Sequence, residues 1–181
     1  DDTAAIARTA GAEVVERTDT TRRGKGYALD HGVRHLEQSS APHPEVLVMV
    51  DADCIVHAGA IDQLAAKCVS SGRPAQALYL MEAPSHASFG MRFGQFAWRL
   101  KNQVRPLGWS RLGAPCQLFG TGMAFPWALI RTAPLASGHL VEDMQLGVDL
   151  AQVGRPPVFV PQAMVSSRFP DTDAAAGSQR R

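Results

Sequence analysis

The sequence predicts an α/β fold, because runs suited to strands alternate with segments whose apolar residues repeat at helical spacing. The clearest strand run is "EVLVMVDAD" at 45–53, and its unbroken apolar stretch is typical of a parallel sheet covered on both faces. Alternation of strands and helices implies right-handed crossovers between them. A chain of 181 residues with 45% hydrophobic and 19% charged residues has the composition of one globular domain.

The first half of the chain starts with "DDTAAIARTAGA", which is typical of a helix capped by Asp1 or Asp2 and ended by Gly11. A glycine-bearing turn, "RRGKG", separates the first strand from the next helix. The elements expected in order are a helix over 1–12, a strand over 13–19, a helix over 27–38, the strand over 45–53, a helix over 60–69 and a strand over 75–82.

The second half begins after Pro84 with a helix that carries a continuous apolar stripe. The next stretch, "APCQLFGTGMAFPW", is rich in glycine and predicts a loop or short strand. The elements expected after it are a short helix near 128–132, a helix with an acidic start over 141–154, a strand over 156–165 and an arm rich in small residues over 171–181.

The stripe of the helix after Pro84 is formed by Phe89, Phe93, Phe96 and Leu100. No acidic residue occurs between Glu82 and Glu142, whereas the same stretch contains Arg92, Arg99, Lys101, Arg105, Arg111 and Arg131. Two interpretations stay open. The helix packs on its own domain, as most amphipathic helices do, or the segment 85–111 lies on a membrane surface as a basic amphipathic helix.

The charge balance and the cysteines exclude several classes of protein. Lys and Arg number 18 against 17 for Asp and Glu, so the net charge of +1 argues against a general nucleic-acid binder. The three cysteines have no CxxC spacing, which indicates neither a disulfide framework nor a zinc site and fits a reducing, cytosolic setting. No apolar run is long enough to span a bilayer, and no signal peptide precedes the first helix.

Two carboxylates, Asp51 and Asp53, end the apolar strand in "VMVDADC". Ligands of open α/β sheets bind at the carboxyl ends of strands, so both acids are placed where a site is expected. Crowded carboxylates repel one another, and a nearby cation relieves that repulsion. Oxygen ligands without neighbouring His favour Mg²⁺ or Mn²⁺, and the alternative is a strand that simply exits into a polar turn.

Two further stretches carry charge to helix starts. "RRGKG" places Arg22, Arg23 and Lys25 before a helix, where cations and free backbone N–H groups bind anions, although a plain surface turn has the same composition. "HLVEDMQLG" places Glu142 and Asp143 in the first turn of a helix. Acids there complement the helix dipole, and one of two adjacent acids is left to point into a cleft as a base. Neither a GxxxxGK[ST] nor a GxGxxG motif is present.

The ordered set "RGKGYAL", "VMVDADC", "FGTGMAFP", "HLVEDMQLG" and the closing "QRR" resembles the processive, membrane-associated family 2 glycosyltransferases of the GT-A fold. This group includes cellulose, hyaluronan and poly-N-acetylglucosamine synthases. The resemblance covers 1–181, which it implies to be a single catalytic domain with a Rossmann-related mixed sheet that lacks its first strand. It also implies an inverting transfer from a nucleotide sugar, a UDP-sugar, to a glycan or lipid-linked acceptor.

The resemblance also implies a role for each site residue. Asp53, with Asp51, would hold Mg²⁺ or Mn²⁺ on the donor diphosphate, and Asp143 would be the catalytic base. The donor-binding residues would be Lys25, Asp51 and Arg180, and the acceptor-binding residues would be Phe119, Gly120, Thr121, Gly122 and Glu142. Exopolysaccharide or glycan synthesis at the cytoplasmic face of the cell membrane, in a multi-pass protein, would be the setting.

The chain departs from the family pattern at several places. Val141 stands where the family often has Thr, and the closing motif, normally QxxRW, stops at Gln179, Arg180 and Arg181. The first nucleotide-binding strand and the flanking transmembrane helices are expected to be missing, so the fragment alone is expected to be inactive.

Two other interpretations remain. A phosphohydrolase of the haloacid dehalogenase class also uses a strand ending in DxD, followed by Thr or Val where this chain has Ile55. The chain is alternatively a non-catalytic module that binds a membrane or a partner.

Overall fold

The computed structural model describes residues 2–136, 138 and 141–169. It confirms an α/β fold in which one mixed five-stranded sheet is flanked by helices. The strands are β1 (Val46–Met49), β2 (Ile55–Val56), β3 (Ala75–Glu82), β4 (Met123–Pro126) and β5 (Val158–Arg168). The helices are α1 (Thr3–Thr9), α2 (Lys25–Gln38), α3 (Ala60–Ser71), α4 (Phe89–Arg99), α5 (Arg105–Arg111), α6 (Trp127–Ile130) and α7 (Glu142–Gln152), and a π-helical turn, Leu100–Val104, joins α4 to α5.

The strand order across the sheet is β1-β4-β3-β5-β2. β4 pairs antiparallel with both β1 and β3, whereas β3 and β5 run parallel. The pairing of Met49 with Met123 brings the end of β1 to the start of β4. This junction places the acids that follow β1 beside the glycine-rich loop that precedes β4.

Three apolar clusters hold the helices against the sheet, and two of them include the helices α2, α3, α6 and α7. Phe125 and Leu118, both fully buried, lie in one cluster with residues of α2, α6 and α7. Leu64 and Cys68 of α3 pack with buried residues of β3 and β5 in the other. Burial of side chains of this size contributes about 1.5–3 kcal/mol each relative to an exposed position. The starts of α2 and α7 are thereby fixed at the same end of the sheet as the β1–β4 junction.

Two predictions about strands are wrong. The stretch 13–19 forms no strand, although its β-branched residues favour one. It lies against α2 instead, where Glu13 Oε1 is 2.8 Å from His35 Nε2, and no strand edge pairs with it. The strand at 45–53 is predicted to belong to a parallel sheet covered on both faces, but β1 is shorter, antiparallel to β4 and at the sheet edge.

The other predicted elements are confirmed with small shifts in their ends, and β2 is an additional short strand. The arm over 171–181 lies outside the described residues. Within the described ranges, none of the helices has both the length and the apolar character needed to cross a bilayer.

Candidate active site

Lys25, the first residue of α2, links the acids after β1 to the glycine-rich loop before β4. Its ammonium forms an ion pair with Asp51 and donates a hydrogen bond of 2.8 Å to the backbone carbonyl of Gly120. A cation is expected beside the crowded carboxylates, and for Asp51 that cation is Lys25 of the chain itself. Both side chains of the pair are partly exposed, so they face a cleft that is open to solvent.

Thr121 fixes the backbone of the DxD turn. The Asp51 N–H donates to Thr121 Oγ1 at 3.0 Å, and that hydroxyl in turn donates to Cys54 Sγ at 3.4 Å. Thr121 is 1% exposed, so the two hydrogen bonds are shielded from water. The turn that carries Asp51 and Asp53 is thus held directly by the loop that contains Gly120.

The predicted loop residues Phe119, Gly120, Thr121 and Gly122 are held by a buried side chain that the sequence analysis missed, Gln76 of β3. Its Oε1 accepts the Phe119 N–H at 2.8 Å, and its Nε2 donates to the carbonyl of Thr121 at 2.9 Å. The available signal was a glutamine inside the apolar run "AQALYL". A buried amide is stable only with its hydrogen bonds formed, so such a residue indicates a fixed polar partner.

Two glycines of this loop are required by its backbone. Gly122 has a φ of +62°, and a Cβ there would lie 2.9 Å from the Cβ of Ala77 and 3.0 Å from Cγ2 of Val165. Gly120 has a φ of +87°, which side chains other than glycine rarely adopt. The loop can therefore pass close to β3 and β5 and still present the Gly120 carbonyl to Lys25.

Asp143, in the first turn of α7, faces the same backbone as Lys25. A Cβ built on Gly120 would lie 3.4 Å from Asp143 Oδ2 and 3.5 Å from Lys25 Nζ. Burial raises the pKa of Asp143 above the ordinary value of 3.8 and the neighbouring Glu142 raises it further, while the Met144 N–H and Lys25 act in the opposite direction. A carboxylate with a raised pKa is a better proton acceptor than an ordinary aspartate.

The structure thus brings together most of the predicted site. Lys25, Asp51, Gly120 and Asp143 converge, and Glu142 lines the small cavity between α2 and α7 with Lys25 and Asp143. Asp53 is exposed and adjoins Asp51 and Cys54. Arg180, the remaining predicted donor-binding residue, lies outside the described residues. The roles assigned to all these residues stay predictions.

The sequence profile described as "Glycosyltransferase like family 2" matches residues 1–181. The chain belongs to this family. Together with the mixed sheet and its flanking helices, the match establishes a GT-A-like fold for this glycosyltransferase. It also favours a glycosyltransferase over a phosphohydrolase of the haloacid dehalogenase class. No match to a curated protein was found.

In the glycosyltransferase, the possible metal-ligand atoms that follow β1 fit a hard divalent cation. Asp51, Asp53 and Cys54 each offer one ligand atom, and these atoms lie within 4.8 Å of one another. Carboxylate oxygens suit Mg²⁺ or Mn²⁺, whereas a thiolate suits softer metals. Burial raises the pKa of Cys54, which keeps its thiol protonated at neutral pH. Asp51 is already paired with Lys25, so Asp53 is the carboxylate more available to a metal.

Gln76→Leu is expected to destabilise the glycosyltransferase and to lower transfer. Leucine fills similar space but leaves the buried Phe119 N–H and the Thr121 carbonyl unpaired, and each such group costs about 1–3 kcal/mol. Urea unfolding measures the loss, and Gln63→Leu on the exposed surface of α3 is the matched control. Equal stability of the two variants would show that Gln76 does not hold the loop.

Proposed function

We propose that this glycosyltransferase moves a sugar from a UDP-sugar to an acceptor hydroxyl with inversion at the anomeric carbon. The observation that carries the proposal is the convergence of Lys25, Asp51 and Asp143 around the Gly120 backbone. A base and a cationic group face one cleft, as a single displacement requires.

Asp143 is the base in this proposal. The acceptor hydroxyl attacks the anomeric carbon on the face opposite the departing diphosphate, and Asp143 takes the hydroxyl proton as the new bond forms. One carboxylate suffices because the diphosphate leaves as an anion and needs no proton from an acid. The partial burial that raises the pKa of Asp143 supports this role.

The donor diphosphate is proposed to bind between the start of α2 and the DxD turn. Lys25 lies there as the first residue of α2, and the positive end of the helix dipole favours an anion. Asp19 orders the preceding turn by accepting hydrogen bonds from Thr21 and Arg22, and those bonds lower the pKa of Asp19 to about 2. Asp53 and Asp51 would hold Mg²⁺ or Mn²⁺, which when bound offsets charge on the diphosphate.

The acceptor is proposed to lie against the loop formed by Phe119, Gly120, Thr121 and Gly122, with Glu142 beside it. The absence of a side chain at Gly120 leaves the space next to Asp143 Oδ2 open for a hydroxyl. A glycan or a lipid-linked sugar offers such a hydroxyl. The synthesis of an exopolysaccharide or another glycan by residues 1–181 as one catalytic domain belongs to the same proposal.

The test is an assay of the purified protein with a panel of nucleotide sugars, Mn²⁺ and a sugar acceptor. We expect release of UDP together with a glycoside whose anomeric configuration, read by NMR coupling constants, is opposite to that of the donor. Retention of configuration would contradict the single displacement. Turnover of p-nitrophenyl phosphate without turnover of any nucleotide sugar would instead support the haloacid dehalogenase class.

A further inference from the structure

The amphipathic helix after Pro84 turns its apolar stripe outward. Phe89, Phe93 and Phe96 are 84%, 62% and 57% exposed, and Leu100 and Val104 continue the exposed row. A lone exposed apolar residue is ordinary, but a continuous row of this size marks a surface that another body covers. In the part of the chain that the structure describes, nothing covers it.

The opposite side of the same helix packs on the sheet. Trp98 Nε1 and Asn102 Nδ2 each donate to the Tyr79 carbonyl at 3.2 Å, and Pro106 is buried. Each of these residues follows an exposed apolar residue by two positions, which is a rotation of about 200° around a helix. The stripe is therefore held away from the domain by contacts on the far side, and it cannot turn inward without losing them.

Cations without acidic partners flank the stripe. Arg99 and Lys101 follow Phe96, Lys101 lies 5.4 Å from the ring centroid of Trp98, and Arg105 donates to Gln117. None of these three cations forms an ion pair with a carboxylate among residues 2–136, 138 and 141–169. The nearest acidic residues along the chain are Glu82 and Glu142.

We propose that the stripe of Phe89, Phe93, Phe96, Leu100 and Val104 lies in the surface of a bilayer containing anionic lipids. The exposed apolar row suits the boundary of the acyl chains, and the Lys and Arg side chains without acidic partners beside it suit the anionic headgroups. A second copy of the chain would present the same cations at this surface, and the like charges would repel one another. This surface is independent of the proposed transfer chemistry, because none of its residues lines the cleft at Gly120.

Sedimentation with vesicles tests the membrane surface. At about 0.1 M salt, the 181-residue chain is expected to bind vesicles of phosphatidylglycerol and phosphatidylcholine, and to bind pure phosphatidylcholine much more weakly. Phe93→Asp with Phe96→Asp is expected to lower binding at least about tenfold. Ile61→Asp with Val69→Asp on α3 adds the same charge at exposed apolar positions and is expected to bind as the parent does.

The cations are tested by Arg99→Gln with Lys101→Gln. We expect binding to anionic vesicles to fall about tenfold to thirtyfold, while Lys67→Gln with Arg155→Gln, which removes equal charge elsewhere, leaves it within about twofold. Circular dichroism checks that every variant is folded. The proposal is overturned if the parent does not bind anionic vesicles or if the stripe variants bind them as well as the parent does. It is also overturned if sedimentation equilibrium shows dimers of the parent that the stripe variants abolish.

Discussion

Asp143→Asn is expected to lower the rate of sugar transfer by about 10²- to 10⁴-fold, the usual contribution of a general base. Asparagine keeps the size and polarity of the side chain but cannot take a proton from the acceptor. The DxD turn is held by Thr121, whose hydroxyl accepts the Asp51 N–H, so loss of the Asp143 carboxylate is expected to leave that turn unchanged. The affinity for UDP, measured by calorimetry, is therefore expected to stay within a few-fold of the parent's.

The pH dependence of transfer and of stability is expected to identify Asp143 as the base. Transfer requires the ionised form of Asp143, so kcat/KM is expected to fall as pH drops through a pKa above the ordinary value of 3.8. Because the folded chain binds this proton more tightly than the unfolded chain does, ionisation of Asp143 lowers stability as pH rises through that pKa. Asp143→Asn removes this penalty, and its Tm is expected to equal or exceed the parent's at neutral pH.

Two variants control for the loss of charge. Glu142→Gln removes an acid from the same first turn of α7, and Asp62→Asn removes one from the first turn of α3, which does not line the cavity with Lys25 and Asp143. Transfer by Asp143→Asn is expected to fall far below that of either control. If Glu142→Gln abolishes transfer while Asp143→Asn retains it, the base is Glu142, and the assignment to Asp143 is wrong.

The residues of the candidate site were easier to find in the sequence than the arrangement of the strands in the sheet. Charged residues at the ends of apolar elements, such as Asp51 and Asp143, are visible in the sequence because a carboxylate next to a buried run is unusual. Their convergence follows once β1, α2 and α7 pack around one cluster. The antiparallel pairing of β1 was not predictable from the sequence, because an apolar run is compatible with either strand direction and only the pairing with β4 decides it.

The strand wrongly predicted at 13–19 and the unforeseen orientation of the stripe both depend on tertiary contacts that the sequence does not show. The stretch 13–19 has strand propensity, but a strand needs a neighbour, and the contact of Glu13 with His35 of α2 takes the place of one. Periodicity identified the stripe of Phe89, Phe93 and Phe96 but gave no sign of the side that faces solvent. That outcome depends on the Tyr79 carbonyl, which accepts from Trp98 and Asn102.

Asp53→Asn is expected to remove most of the metal affinity of the enzyme and, with it, the stimulation of transfer by Mn²⁺. Asp51 is engaged by Lys25, which leaves Asp53 as the more available carboxylate of the cluster. Changes to groups that merely support a metal ligand lower affinity about 10- to 100-fold, so removal of a ligand is expected to have at least that effect. Electron paramagnetic resonance of Mn²⁺ measures the affinity directly, without any turnover.

Asp62→Asn is the matched control, because it removes an exposed acid outside the cluster and is expected to bind Mn²⁺ as the parent does. An Asp53→Asn variant with parental Mn²⁺ affinity would refute the metal site. A variant that loses Mn²⁺ affinity but transfers sugar at the parental rate would separate the two roles. In that case Lys25 and the start of α2 alone would offset the charge of the diphosphate, since the ammonium lies at the same turn as the carboxylates.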